Sequence, residues 1–259
     1  MLLVPVCLLV FLAANVNTAD KAAFIDNGGI SNESVAVAEA DNNEVKSVVK
    51  IEEKKPEEIS IVIDPGHGGE DWGTYYGDIY EKNVNLDVSL RLGKLLKNDG
   101  IKVVYTREKD DFVELRKRSD IANELDAALF LSIHHNKMPD SPDYRGTETL
   151  YTSGNTSVGV MNGKRFAEVI QSELVKTLKT VDNGIIYRPN LSVLRHTKMP
   201  AVIAEIGYIS NSSDRARIGT PEFRQKASEA LYDAVLKVLG EMKAYKTPDG
   251  KWMLENYPY

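Results

Sequence analysis

Ile59-Ser60-Ile61-Val62-Ile63-Asp64-Pro65-Gly66-His67-Gly68-Gly69 is the stretch from which the rest of the chain can be read. Residues 59–63 are a short β-branched run, the composition of a buried strand. It stops at Asp-Pro-Gly, and an imidazole follows on a tight turn whose glycines let the backbone pass close to whatever it faces. Moving outward, similar runs recur at 101–105, 128–133, 147–152 and 201–206. Helical apolar spacing covers 81–98, 112–124, 160–178 and 221–242, with Pro221 suited to a first helical position. This alternation predicts an α/β domain: a single open, twisted, mostly parallel sheet with helices on both faces. In such sheets ligands sit beyond the carboxyl ends of the strands, so functional residues are expected just after each apolar run.

The 259 residues carry a net charge of −6, unevenly placed. Residues 20–58 hold ten acidic side chains and five lysines, whereas everything after 58 balances to −1. A nearly neutral body has no basic footprint for nucleic acid. The uncharged apolar run at 2–14 is too short to span a bilayer of ~30 Å comfortably. It reads as a signal peptide within residues 1–19, with small residues near Ala19, or as a short anchor; a positive leading region is missing and Asn17 suits the −3 position poorly. Residues 20–58 are too polar to offset their ordering entropy and read as an acidic linker. One folded domain is expected over 59–245, followed by a tail at 246–259 that reads as a docked turn or a small contact surface. Cys7, the single cysteine, lies in the leader, so no disulfide is expected.

Four side chains at the expected positions bear chemistry. His67 follows the first strand. His134 and His135 close the run 128–133; adjacent strand residues point to opposite faces, so only one of them can enter a shared site, and spacing does not choose between them. Glu81 opens its helix on the same stripe as Val84, Val88, Leu92 and Leu95. An ionised carboxylate on that core-facing stripe costs several kcal/mol in effective terms unless paired or bound to a metal, with a helix cap as the alternative. Glu205 ends the apolar run 201–204, where desolvation raises a carboxyl pKa and suits it to proton transfer; a buried ion pair, for instance with Arg195, is the other reading. Two imidazoles and one carboxylate leave a fourth position open, as catalytic zinc sites do, and a second glutamate can act as base on a metal-bound water. An iron oxygenase could use the same side chains, but the strand pattern here is not that of a jelly roll.

At this point the chain resembles the zinc-dependent N-acetylmuramoyl-L-alanine amidases of bacterial cell walls, in the class with an open α/β catalytic domain. Four blocks carry the resemblance in order: Ile63–Gly69, Glu81–Leu86, Ser132–Asn136 and Pro200–Asn211. Thr106-Arg107, Leu115 with Arg118, Ala122-Asn123, Gly146–Thr149 and Val193–Arg195 are also similar to the family pattern. The resemblance spans about residues 59–240. It implies His67, Glu81 and His134 as ligands of Zn2+ and Glu205 as the catalytic glutamate. It also implies peptidoglycan as the substrate and an exported protein acting at the cell wall or in the periplasm. His135 departs from the small residue usual after the ligand histidine, which leaves it a role behind the ligands, on the surface or in the cleft. His196 has no matching role and reads as structural. Some family members plug the site with a long helix after the Gly-Thr-Glu-Thr block, and the ten or so residues between Tyr151 and the next expected helix leave no room for one.

The reaction so implied is hydrolysis of the amide joining N-acetylmuramic acid to L-alanine, with Glu205 as general base and then acid. Three other classes compete with it. A zinc peptidase or deacetylase would leave different wall fragments, a silent wall-binding module does not need Glu205, and a structural interaction protein leaves the Glu81 carboxylate unexplained.

Overall fold

The computed structural model describes residues 57–138, 140–155 and 157–255. The leader expected at 1–19 and most of the linker expected at 20–58 lie outside them. Among the described residues no helix is long and apolar enough to cross a membrane. In chain order the elements begin with β1 (Glu57–Glu58), β2 (Ser60–Pro65), β3 (Tyr75–Tyr76), β4 (Ile79–Tyr80), α1 (Glu81–Asn98), β5 (Lys102–Tyr105) and α2 (Leu115–Glu124). They continue with β6 (Leu129–Asn136), β7 (Thr147–Tyr151), α3 (Gly163–Leu178), β8 (Asp182–Tyr187) and α4 (Ser192–His196). The last are β9 (Ala201–Tyr208), α5 (Ser212–Ile218), α6 (Pro221–Glu241), β10 (Tyr245–Lys246) and β11 (Trp252–Leu254).

Six strands form the main sheet in the order β5-β2-β6-β9-β7-β8. β5, β2, β6 and β9 run parallel; β7 joins β9 antiparallel and carries β8 parallel to itself. The carboxyl ends of β2, β6 and β9 therefore share one rim with the start of β7. Alternation along β2 shows why both faces need helices: Ile61 and Ile63 join the larger core with residues of α1, α3 and α6, while Val62 joins Ala122 of α2 and Val193 and Leu194 of α4. The sheet is thus mixed but mostly parallel, with helices on both faces.

Local chemistry moves several expected boundaries. The helix anticipated from 112 starts at Leu115, because the preceding loop is engaged elsewhere, with Asp110 accepting from Gly69 N at 2.8 Å and from Lys82 Nζ at 2.6 Å. The helix anticipated from 160 starts at Gly163, where the Asn162 side chain caps Arg165 N. α6 begins with Pro221 behind Thr220, which caps Phe223 N. β8 and the short helices α4 and α5 give no clear periodic signal; β8 is an edge strand of sequence Asp-Asn-Gly-Ile-Ile-Tyr. Glu57 and Glu58 pair with Leu254 and Met253, so the end of the expected linker and the expected tail meet in a small sheet with β10. Trp252 Nε1 donates to Asp99 O at 3.0 Å and Leu254 is buried, which docks the tail against the end of α1.

Candidate active site and metal centre

β2 ends at Pro65, and the chain turns so tightly that His67 adopts a left-handed backbone, φ 62°. That conformation in a non-glycine residue costs of order 1–3 kcal/mol and persists only where its surroundings impose it. Two arginines do so. Arg118 donates to Pro65 O and His67 O, and Arg107 donates to Pro65 O and Gly66 O, all four at 2.9 Å. Arg118 also meets Asp64 at 2.8 Å, with the two side chains only 2% and 1% exposed. Burial pushes the Asp64 carboxyl up, but the Arg118 guanidinium and the hydroxyls of Ser132 and Thr106 outweigh it and hold the group below its ordinary value. A buried carboxylate so satisfied anchors the turn that presents His67.

The three expected ligands meet beyond this turn. Atoms of His67, Glu81 and His134 lie within 4.8 Å of one another, the arrangement of a group that could hold a metal ion. Glu81 Oε1 stands 3.2 Å from His67 Nε2 and 3.0 Å from His134 Nδ1. Such spacings are close to those of ligands sharing one cation through bonds of about 2.1 Å, and two imidazoles with one carboxylate are a donor set that zinc accepts. The far nitrogen of His67, Nδ1, is tied to Asp71 Oδ2 at 2.8 Å, which fixes the ring's orientation. The His134 ring lies so close to the Gly66 α-carbon that no side chain fits there.

Glu81 is not a helix cap. The N-cap residue Tyr80 makes no side-chain capping bond, and the Glu81 oxygens face the site. Oε2 accepts from Thr74 N at 2.8 Å, and Oε1 accepts from His135 N at 3.2 Å and Asn85 Nδ2 at 3.3 Å. Burial pushes this carboxyl up, but the hydrogen bonds and charges of His134 and His67 dominate and hold it well below the usual range. Burial pulls His67 the other way, yet Glu81 and Asp71 raise it overall.

β6 carries both adjacent histidines, and a register shift between His134 and Asn136 marks where it meets β9 irregularly. His134 joins His67 and Glu81. His135 turns away into the core, where Nδ1 meets Asn85 Oδ1 at 2.8 Å and burial keeps the ring neutral, its pKa lowered to about 3. A surface or cleft position for His135 is thereby ruled out; it stands behind the group, braced on Asn85, which also donates to Gly66 O.

Glu205 lies opposite His134 in the β6–β9 pair and opposite Glu148 in the β7–β9 pair. Its Oε2 is buried without a hydrogen-bond partner among the described residues, and desolvation, followed by the charges of Glu81 and Glu148, raises its pKa well above the ordinary value. No ion pair joins it to Arg195, which is exposed on α4, so the buried-pair reading of either residue fails among the described residues. Glu148 is itself held by Asn136 Nδ2 at 2.8 Å. His196 has a structural place, its carbonyl accepting from Asn123 Nδ2 at 2.8 Å.

Sequence reasoning assigns no roles to Asp64, Asn85, Arg107, Arg118 or Glu148. All five stand in blocks similar to the family pattern, but what they do is bond to backbone carbonyls and to residues of distant elements, which no local spacing encodes.

A family model described as N-acetylmuramoyl-L-alanine amidase matches residues 61–237. The chain is 39% identical over 176 residues to the Bacillus subtilis (strain 168) protein YqiI, covering 68% of this chain and 82% of that one. It is 37% identical over 177 residues to the N-acetylmuramoyl-L-alanine amidase LytC of the same organism, covering 68% of this chain but only 35% of LytC. Among solved structures, the catalytic domain of CwlV, an N-acetylmuramoyl-L-alanine amidase from Bacillus (Paenibacillus) polymyxa var. colistinus, aligns with a TM-score of 0.65 at 35% identity, covering 70% of this chain and 98% of that one.

Proposed function

This chain belongs to the N-acetylmuramoyl-L-alanine amidase family, and from that premise we propose that it hydrolyses the amide between N-acetylmuramic acid and L-alanine in peptidoglycan, with Zn2+ held by His67, Glu81 and His134. One observation supports this above the rest: three donor side chains from separate elements converge beside a buried glutamate whose Oε2 has no partner among the described residues. When bound there, zinc supplies Lewis acidity, acidifying water and drawing charge from a carbonyl oxygen.

The chain's own residues do the rest. The His67 ring is held by Asp71, and Glu81 is held by Thr74 N and Asn85, so the donors are oriented before a cation arrives. Glu205 takes the proton of the attacking water on its free oxygen and returns it to the departing alanine nitrogen. Its raised pKa brings it nearer the working pH than an ordinary carboxylate, which is the condition for both halves of that transfer. A wall substrate calls for a protein outside the membrane, in line with the leader read at residues 1–19. A peptidase or deacetylase using the same group would cut another bond.

Glu205→Gln is expected to retain zinc and lose at least ~100-fold in wall hydrolysis, within the range typical of positioned acid–base groups. His67→Ala is expected to lose the metal itself. Metal content and mass spectrometry of released stem peptides, with and without a chelator, separate these roles; a Glu205→Gln enzyme with most of its activity left removes the assigned role.

A further inference from the structure

Between His67 and Glu81 the chain makes an excursion that holds both donors through Asp71 and Thr74 but whose aromatic rings the reaction does not use. Residues 70–80, Glu-Asp-Trp-Gly-Thr-Tyr-Tyr-Gly-Asp-Ile-Tyr, contain four aromatic rings, and β3 and β4 pair within them as a two-residue hairpin. Hairpins this short have no core in which to hide such rings. Trp72, Tyr75 and Tyr76 are accordingly 48%, 57% and 59% exposed. Trp72, Tyr75 and Tyr80 pack on one another, Tyr75 stacked on Tyr80 with centroids 5.7 Å apart and Trp72 edge-on to both at 5.8 and 5.6 Å. Mutual packing explains why the cluster is ordered. It does not explain why so much ring surface is left facing water, and contiguous exposed apolar surface rimmed by polar residues marks a binding site.

The hairpin is rigidly tied to the donors. Thr74 N donates to Glu81 Oε2, Glu81 N donates back to Thr74 O at 2.8 Å, and a Cβ on Gly73 would lie 2.6 Å from both Glu81 Oε2 and His67 Cδ2. Trp72 and Thr74 flank that contact, so the rings keep a set position relative to the site. Charge then selects what can lie on them. Residues 70–80 carry Glu70, Asp71 and Asp78 and no lysine or arginine, a surface that repels a stem peptide bearing free carboxylates but not a neutral sugar. On the α5 side the Arg215 guanidinium lies 3.6 Å from the Tyr76 ring centroid, which takes that ring's face and leaves Trp72, Tyr75 and Tyr80 as the neutral platform.

We propose that the Trp72–Tyr75–Tyr80 cluster is a saccharide platform, seating a neutral N-acetylhexosamine ring of the glycan strand on the acyl side of the scissile bond. It rests on the amidase reading, since a sugar then stands next to the cleaved carbonyl. Aliphatic C–H faces of the sugar stack on the rings, whose amphipathic edges tolerate the surrounding hydroxyls.

The full chain with Trp252→Phe leaves Trp72 as its one tryptophan reporter. Titration with the N-acetylglucosamine tetramer is expected to shift Trp72 emission. Tyr75→Ala in that background should weaken binding about fivefold, and Tyr75→Phe, which keeps the ring, should restore it. Tyr75→Ala in the otherwise unaltered enzyme should raise KM for glycan strands. Emission that ignores the tetramer, that answers instead to an L-alanyl-D-glutamyl peptide, or that changes with protein concentration alone overturns the proposal, the last two by assigning the rings to the peptide or to a second copy. Failure of the amidase reading looks different: the unsubstituted chain then frees no stem peptide from the wall, whatever the tetramer does to Trp72.

Discussion

Glu205 sits between two other carboxylates, and the arrangement is costly. Desolvation and the charges of Glu81 and Glu148 all favour its protonated form. Removing the Glu148 charge relieves part of that pressure, so Glu148→Gln is expected to lower the Glu205 pKa and move the acid limb of the kcat/KM profile to lower pH. A cation at the site pulls Glu205 down as well, without changing the sign of this effect. The check is a pH–rate profile of both proteins; an unmoved or upward-moved limb contradicts the assignment. By the same electrostatics, Glu205→Gln should raise the Tm of chelator-treated protein by a few degrees, because a buried carboxyl crowded by two others is replaced by a neutral group of its own shape. Gly73 is another residue with a sharp requirement. Its φ is +63° and a Cβ would press on both Glu81 and His67, so Gly73→Ala should weaken metal binding at least ~10-fold, as disturbing the supports of metal ligands typically does. Competition with a coloured zinc chelator measures it.

At the scale of elements, the turn after β2 depends on α2 and on the segment after β5. Arg118 reaches from α2 to Asp64, Pro65 and His67, and Arg107 reaches to Pro65, Gly66 and Lys82 O. Arg118→Met leaves the buried Asp64 carboxylate without its cation, and removing one partner of such a pair costs about 3–5 kcal/mol. Urea unfolding of the two proteins is expected to show that loss in the midpoint with little change in slope. Elements are legible where a long periodic pattern exists: the helix expected over about 81–98 is α1, Glu81–Asn98, and Pro221 does open α6. α2 and α3 start later than their apolar spacing predicts: Asp110 ties the loop before α2 to Gly69 and Lys82, and the Asn162 side chain caps the first turn of α3. β8 escapes a pattern reading because an edge strand half open to solvent needs neither a continuous apolar run nor strict alternation.

Across the whole molecule, the rim where β2, β6 and β9 end collects the chemistry, and its acid sensitivity follows from the buried Asp64. This carboxyl has a folded-state pKa below its ordinary 3.8. Its contribution to stability is therefore fully present above that value and is lost as pH falls through the depressed folded-state value. Stability should change little on its account between pH 7 and about 5, then fall, and Asp64→Asn should flatten the acid limb. Thermal unfolding from pH 7 to 2.5 tests this; parallel curves for the two proteins would remove Asp64 from the explanation.

The amino-acid sequence by itself determined the alternation of strands and helices, the side of the sheet on which chemistry gathers, and the candidates His67, Glu81, the adjacent pair His134 and His135, and Glu205, because strand ends and a helix stripe are local patterns. Tertiary structure decided which of the paired histidines faces Glu81, that Arg195 stands apart from Glu205, that β7 reverses direction, and that Arg107, Arg118 and Asn85 hold the donors in place. Those outcomes depend on which distant atoms come within about 3 Å of one another, and hydrogen bonds between residues 50 positions apart leave no periodic trace along the chain.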